Sequence, residues 1–405
     1  MQLWSRVVES WEIFTEEKKF CLGLYTFLFS CIACAFSPNI PVLITARLFQ
    51  GVGASLLAPQ VLASIRALFS SHEQPKAVGI FSSVFGLASV AGQLLGGLLL
   101  NLHWAGFSWE MVFLVNVQVT IVCITGIHFT MDNNKDLKLS GIDYKGALLL
   151  ILALLLFICS LIFGREYHWA WWIFVIMITG LVLAIVFFRY EVKLYRQNRP
   201  VLIDPTLLLD KWFSLSLPVI FFYNFTAGLF ICDTYYLQQF LHYSPMDTGL
   251  AIVPYGLAFF LGPLISQRVK LPVNTLIYIG LGLLIIGFST SSILFYLWQK
   301  PSPATNITLF LAGLGHGVIM PVMMRTAIAL VSKDRAGQAS ALVSISMQVG
   351  GVTGGAIIGT VFFSTIDTLS FPKAFALAIL MIALFQITGV YINAKLTKYI
   401  INNND

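Results

Sequence analysis

Two stretches of this chain leave almost no choice of solvent. Residues 146–163, GALLLILALLLFICSLIF, and 271–298, LPVNTLIYIGLGLLIIGFSTSSILFYLW, carry no charged side chain. Each is long enough for a helix to cross the hydrocarbon of a bilayer, which takes about 20 residues. The rest of the 405 residues agree, with 58% hydrophobic and 10% charged, where a soluble domain carries about 25% charge. A mean hydropathy of +0.85 leaves too little polar surface to face water. The expected fold is an all-α polytopic membrane protein.

Twelve candidate spans follow, at about 20–36, 42–69, 77–101, 109–129, 145–163, 170–189, 212–238, 248–267, 273–297, 306–331, 338–364 and 374–394. Most are interrupted by Gly or Pro, which a helix bundle tolerates because neighbours re-satisfy the freed backbone groups. The cations orient the chain. With the N-terminus cytoplasmic, 19 of the 24 Lys and Arg fall on the inner side, and only Arg165, Lys300 and Lys373 on the outer. Arg47 and Arg325 sit within spans. The net charge of +6 is thus an orientation signal, and no nucleic-acid partner is expected. All six Cys lie in or beside spans, so Cys31-x-x-Cys34 reads as a pair of small buried residues before it reads as a redox or metal motif. Residues 1–19 are charged and lack the apolar stretch of a cleavable signal.

One segment occurs twice. KAVGIFSSVFGLASVAGQLLGG (76–97) aligns without a gap to RAGQASALVSISMQVGGVTGG (335–355), each with a cation, an Ala and then a G-x-x-x-G pair, Gly92/Gly96 and Gly351/Gly355. QGVGASLLAP (50–59) similarly resembles HGVIMP (316–321). The second copy lies in the fifth of the last six spans, but the first lies in the third of the chain. Equivalent places in two duplicated halves therefore imply two helices absent ahead of residue 20. Polar loops at 131–145 and 189–211 divide the spans into groups of four, two and six.

At these residues the chain resembles the major facilitator superfamily, and within it the fourteen-helix drug:proton antiporters, whose two six-helix halves flank two extra helices. LITARLFQGVGASLLAPQ (43–60) is similar to the fourth-helix motif. GLASVAGQLLGGLL (86–99) is similar to the fifth-helix antiporter motif, with Gln93 where Pro is usual. YYLQQFLHYSPMDTGLAIVPYG (235–256) and GIDYKGALLL (141–150) resemble the seventh-to-eighth helix junction and the lead into the extra helices. The first helix, with its proton-linked acidic residue, has no counterpart, and of the basic loop between the second and third helices only Lys18 and Lys19 have an equivalent. The resemblance implies a major-facilitator-type helical bundle divided into a cytoplasmic segment 1–19, an incomplete four-helix half 20–130, a central pair with its linkers 131–211, a six-helix half 212–394 and a cytoplasmic tail 395–405.

Few residues within spans carry chemistry. Arg47 lies about 8 Å into its span at 1.5 Å per residue, where an unpaired guanidinium costs a few kcal/mol. It either faces a watery cavity and tunes a carboxylate, as the resemblance implies, or snorkels to the outer headgroups. Asp233 is the acidic residue furthest inside a span. It serves as a proton carrier if it faces the cavity, or as a polar end beside Gln238 and Gln239 if it reaches the interface. His316, about ten residues into its span, either accepts a proton near neutral pH or bonds a helix carbonyl. Arg325 lies nearer the cytoplasm, as an inner gate or an interface contact. Gln50, Gln93 and Gln348 are candidates to line a substrate cavity or to bridge helices. Gly51, Gly53, Gly92, Gly96, Gly97, Gly351 and Gly355 are candidate gating glycines, since small faces let helices approach and slide; Gly350/Gly354 and Gly355/Gly359 share the spacing.

The function expected is a proton-driven secondary transporter exporting drugs or other amphipathic small molecules across the bacterial inner membrane, with both termini cytoplasmic. Its partners are that small molecule, protons and the lipid bilayer; any periplasmic adaptor stays unspecified. The sequence has no G-x-x-x-x-G-K-[ST] phosphate loop, and no cofactor, metal or enzymatic activity is expected. The alternatives are an exporter of one metabolite, and a non-transporting remnant, sensor or scaffold on the same fold.

Overall fold

The computed structural model describes residues 16–69, 73–102, 107, 109–130, 143–269, 271–329, 331 and 335–402. The expected N-terminal segment up to residue 15, most of the loop 131–145 and the last three residues of the tail lie outside the described residues. Within them the chain is helical throughout. Its α-helices are α1 (Glu16–Ala35), α2 (Ile40–Leu68), α3 (Gln74–Leu102), α4 (Met111–Thr130), α5 (Tyr144–Glu166), α6 (Trp171–Arg196), α7 (Pro205–Leu209), α8 (Lys211–Tyr223), α9 (Ala227–Tyr235), α10 (Pro245–Ala251), α11 (Val253–Arg268), α12 (Val273–Trp298), α13 (Pro303–Ala329), α14 (Ala336–Leu369) and α15 (Phe371–Asn402).

Among the described residues, nine stretches are long and apolar enough to cross a membrane, and ten if α10 and α11, bent by 42° at Ile252, count as one. The segments Phe20–Ala35 and Met111–Ile127 are apolar but shorter. Each of the twelve expected spans therefore coincides with helix, while one is broken and two fall short of a full crossing.

Local chemistry sets the breaks. Asp204 and Asp210 cap α7 and α8: the Asp204 carboxylate accepts the Thr206 N–H at 2.9 Å, and that of Asp210 accepts those of Trp212 and Phe213 at 2.9 Å. Such caps satisfy the orphan donors of a first turn, and Pro205, at a position where no N–H is needed, helps start α7. Between α8 and α9 the chain tightens into a single 3₁₀ turn, Asn224–Thr226. There Gln386, fully buried on α15, donates its Nε2–H to the Phe222 carbonyl at 3.1 Å. A π-turn at Tyr236–Phe240 then ends α9.

The chain divides into two compact units, one from residues 1–68 and 95–142, the other from 69–94 and 143–405. In the first, α1 packs on α2 and α4 around Cys34, Ala35, Ala46 and Phe113. Gly53 lets the α2 backbone close on α1, where an added Cβ would lie 2.7 Å from the Phe27 nitrogen.

In the second unit α13 is the innermost helix. It packs on α11 and α12, and its central apolar stretch is 78% buried. The hairpin of α5 and α6 is the outermost element, the apolar stretches of its two helices only 22% and 17% buried. Its apolar surface, Trp171 and Ile151 included, is a lipid-facing surface, since no water-soluble fold leaves so much apolar area bare. One side of α5 packs on α14, while α15 lies against α8, α12 and α14.

Candidate functional site

The deepest polar cluster is built on the sequence GLGHGV of α13. Gly313, Gly315 and Gly317 surround His316 with positions that have no side chain, so neighbouring backbones come unusually close. A Cβ on Gly317 would lie 2.9 Å from Pro263 Cδ and 3.0 Å from Gly262 Cα of α11, and one on Gly315 would lie 2.8 Å from the Leu284 nitrogen of α12. The imidazole is thereby pressed among rings. Phe259 stacks on it at 4.3 Å and 16°, and Tyr223 meets it edge-on at 4.5 Å and 89°.

Two phenols hold this histidine. The Tyr255 hydroxyl contacts His316 Nδ1, and the Tyr223 hydroxyl donates to the His316 carbonyl oxygen at 2.7 Å. All three residues are buried. His316 thus bonds through its ring, while its own carbonyl accepts from a tyrosine. An imidazole and a phenol in contact form a donor–acceptor pair across which a proton can move. The signal that could have found this pair was two tyrosines inside otherwise apolar spans, since a buried tyrosine hydroxyl needs a partner.

Asp233 lies on α9, buried, beside Cys232. Its carboxylate takes part in no hydrogen bond or ion pair among the described residues, and it is not bonded to His316. In the first unit, Arg47 and Gln50 are brought together: Arg47 Nη1 donates to Gln50 Oε1 at 2.9 Å, and Gln50 Nε2 donates to Cys31 Sγ at 3.0 Å. Gln50 is buried and Arg47 exposed, its guanidinium 4.6 Å from the centre of the Phe113 ring. Among the described residues no carboxylate pairs with Arg47. Gln93 is half-buried on α3 and Gln348 exposed on α14. Arg325, half-buried, lies two and a half turns beyond His316 on α13.

The candidate glycines divide. Gly53 makes the close approach described above, whereas Gly51, Gly92 and Gly96 have nothing within 4 Å of an added Cβ. Gly97 is buried. Gly351 and Gly355 meet only side-chain atoms, Ala227 Cβ at 3.7 Å and Ile231 Cδ1 at 3.1 Å. The tight backbone contacts fall on other glycines of the same helices. An added Cβ on Gly86 would lie 2.6 Å from the Phe259 carbonyl carbon of α11, one on Gly350 2.9 Å from Phe221 Cα, and one on Gly354 2.5 Å from Phe225 Cα.

A second polar feature unites the connector after the central hairpin with α14. Arg335 Nη1 lies 3.3 Å from Asp204 Oδ2 and donates to Thr206 Oγ1 at 2.7 Å, and Gln338 Oε1 accepts the Asp204 N–H at 2.9 Å. Nothing in the local sequence pairs residues some 130 positions apart. Among the described residues there is no group of three or more His, Cys, Asp or Glu able to hold a metal ion.

Comparison with known proteins fits this architecture. The family model described as the Major Facilitator Superfamily matches residues 14–164, 144–355 and 217–400. The "Probable actinorhodin transporter" of Streptomyces coelicolor is 28% identical over 369 residues, covering 88% of this chain and 63% of that protein. The "Multidrug resistance protein Stp" of Mycobacterium tuberculosis is 28% identical over 346 residues, 84% and 63% of the two chains. The "Puromycin resistance protein" of Streptomyces alboniger is 29% identical over 362 residues, 86% and 69%. The chain thus spans a little under two thirds of the first two relatives. Among solved structures, the human organic anion transporter MFSD10 superposes with a TM-score of 0.63 at 15% identity, over 93% of this chain and 77% of that one. A peptide transporter superposes with a TM-score of 0.57 at 16% identity, over 95% and 82%; at such identities the likeness concerns the fold. Matched over nearly its whole length and built of the same apolar helices, this integral membrane chain belongs to the Major Facilitator Superfamily.

Proposed function

We propose that the chain is a proton-driven secondary transporter, or the greater part of one, that exports drugs or other amphipathic small molecules across the bacterial inner membrane, with both termini cytoplasmic. The observation that carries this reading is the alignment, over 84–88% of the chain, with relatives named for export of or resistance to such compounds. The nineteen inward cations support the orientation.

In this reading the six-helix half supplies a pair, His316 with Tyr255, and a second carrier, the Asp233 carboxyl. Arg47, held by Gln50, is the proton-coupling candidate of the first unit. Gln50, Gln93 and Gln348 offer uncharged hydrogen bonds to the substrate. Gly53 belongs to a fixed helix contact, while Gly51, Gly92, Gly96, Gly97, Gly351 and Gly355 lie on faces that can slide as the halves rock.

The test is dye efflux from everted vesicles holding the chain, with a pH gradient imposed and then collapsed. Arg47→Ala, Asp233→Asn and His316→Ala are compared with the parent at equal expression. Gradient-dependent efflux reduced at least tenfold in one or more variants is the expected result. Equal efflux in all four removes the assigned roles, and no efflux by the parent removes the transport reading. A second reading, export of one metabolite, is favoured by relatives named for a single compound, actinorhodin or puromycin. Saturable export of one compound from a chemically mixed panel distinguishes it.

A further inference from the structure

The base of the central hairpin contains a carboxyl pair for which the transport reading has no use. Asp143 precedes α5 and Glu191 lies one turn from the end of α6, its side chain 1% exposed. Both converge over Gly146: an added Cβ there would overlap Asp143 Oδ2 and lie 2.5 Å from Glu191 Oε1. The two side chains meet within hydrogen-bonding range. Yet Asp143 Oδ2 and Glu191 Oε1 are both buried and neither has a donor among the described residues. The outer oxygens are occupied. Glu191 Oε2 accepts the Ile203 N–H at 3.0 Å, and Asp143 Oδ1 accepts the Lys145 N–H at 3.2 Å and the Tyr190 hydroxyl at 3.4 Å.

Two carboxylate oxygens facing each other in a buried site, with no cationic side chain between them, cannot both stay charged. We propose that Asp143 and Glu191 form a proton-binding site, in which one proton bridges Asp143 Oδ2 and Glu191 Oε1, and that this proton keeps the connector 197–204 docked on the hairpin. The proton is the only ligand the space needs. Gly146 leaves room for both oxygens, and the described residues bring no third His, Cys, Asp or Glu to help them hold a metal ion.

The groups around the pair are few. Tyr190 on α6 faces Asp143, and Arg199 on the connector lies near the Tyr190 hydroxyl. Beyond Ile203 comes Asp204, whose carboxylate already faces Arg335 of α14; Lys145, next to the Asp143 cap, is exposed. None of these puts a cation between the paired oxygens. Loss of the proton places two negative charges side by side, and Glu191, on the side chain with more freedom, leaves first. Its bond to the Ile203 N–H goes with it. Because Asp204 follows directly, the link from the connector to Arg335 and Gln338 on α14 loosens too. The site would thus tie the hold of the hairpin on α14 to pH, independently of any transport activity.

The test uses the full chain in lipid nanodiscs, with two readouts. Infrared difference spectra between parent and variant should show a protonated-carboxyl C=O band that is lost in both Glu191→Gln and Asp143→Asn. Hydrogen exchange of the Ile203 amide, corrected for intrinsic rate, should lose at least tenfold in protection between mildly acid and mildly alkaline pH in the parent. In Glu191→Gln, whose amide oxygen still accepts the N–H, that protection should no longer depend on pH. A merely structural carboxylate would show no such band and no such contrast. The proposal is overturned if neither variant changes the carboxyl band, or if Ile203 protection in the parent does not vary with pH. It is equally overturned if Na⁺ or Mg²⁺ removes the band while raising protection, which would make the site a metal site. If Glu191→Gln does not purify as a monodisperse protein, Asp143→Asn carries the infrared test alone.

Discussion

Tyr255 touches the ring of His316 while its neighbour Tyr223 bonds the carbonyl of the same residue, so two similar hydroxyls hold one histidine in different ways. The difference predicts unequal mutants. Tyr223→Phe removes one bond to a carbonyl that lies in a helix and has a backbone N–H of its own, and should cost about 0.5–1.5 kcal/mol. Tyr255→Phe leaves the buried Nδ1 without a partner and should cost about 1–3 kcal/mol. Thermal unfolding in detergent, followed by the fluorescence of a thiol dye on exposed cysteines, should place Tyr255→Phe below Tyr223→Phe. The reverse order would contradict the hydrogen-bond assignment.

Glycine substitutions should separate by contact and not by motif. Gly86→Ala drives a methyl group into the backbone of α11 at Phe259, and overpacking of that kind costs about 1–3 kcal/mol. Gly92→Ala enters open space and relieves a helix of a glycine, worth up to about 1 kcal/mol of stability. The same contrast applies on α14, with Gly350→Ala the damaging change and Gly351→Ala the tolerated one. Midpoints of thermal unfolding decide the matter, and equal loss at Gly86 and Gly92 would count against the packing described.

The two partners of the Asp204–Arg335 pair should be unequal as well. The Arg335 side chain is 41% exposed, so Arg335→Ala should cost at most about 1 kcal/mol. Asp204 is buried and also caps α7 through Thr206, and loss of a cap alone costs about 1 kcal/mol. Asp204→Ala should therefore be the more destabilising change, and a double-mutant cycle should return a coupling that weakens with added salt. A salt-independent coupling would show that the bond to Thr206 and not the charge pair joins α14 to the connector.

Asp233 predicts a gain. It is buried on α9 with no ion pair or hydrogen bond among the described residues, and a buried unpaired carboxyl is costly. Asp233→Asn should stabilise the fold by roughly 1 kcal/mol or more and so raise the unfolding midpoint, whatever it does to efflux. A lowered midpoint would mean that the carboxyl has a structural partner.

The relation between sequence and structure differs from one element to the next. The uncharged runs 146–163 and 271–298 emerge as α5 and α12, because length and hydrophobicity alone decide whether a helix can lie in lipid. Even so, 248–267 breaks at Ile252, since Pro254 follows closely and the backbone bends where a proline removes a helix bond. The Arg47–Gln50 contact was within reach of the sequence, as residues three apart share a helix face, but the thiol of Cys31 as the other partner of Gln50 was not.

What the sequence by itself determined is the solvent, which stretches are helical and the family, because these follow from composition, run length and motifs that are read along the chain. Only the tertiary structure decided which glycines carry close contacts, which hydroxyls hold His316, and that Asp143 meets Glu191 over Gly146. The physical reason is that a helix fixes the direction of its side chains every 3.6 residues, but not which helix will stand opposite. In lipid that choice is made by shape and by the satisfaction of a few buried polar atoms, from residues tens to hundreds of positions apart.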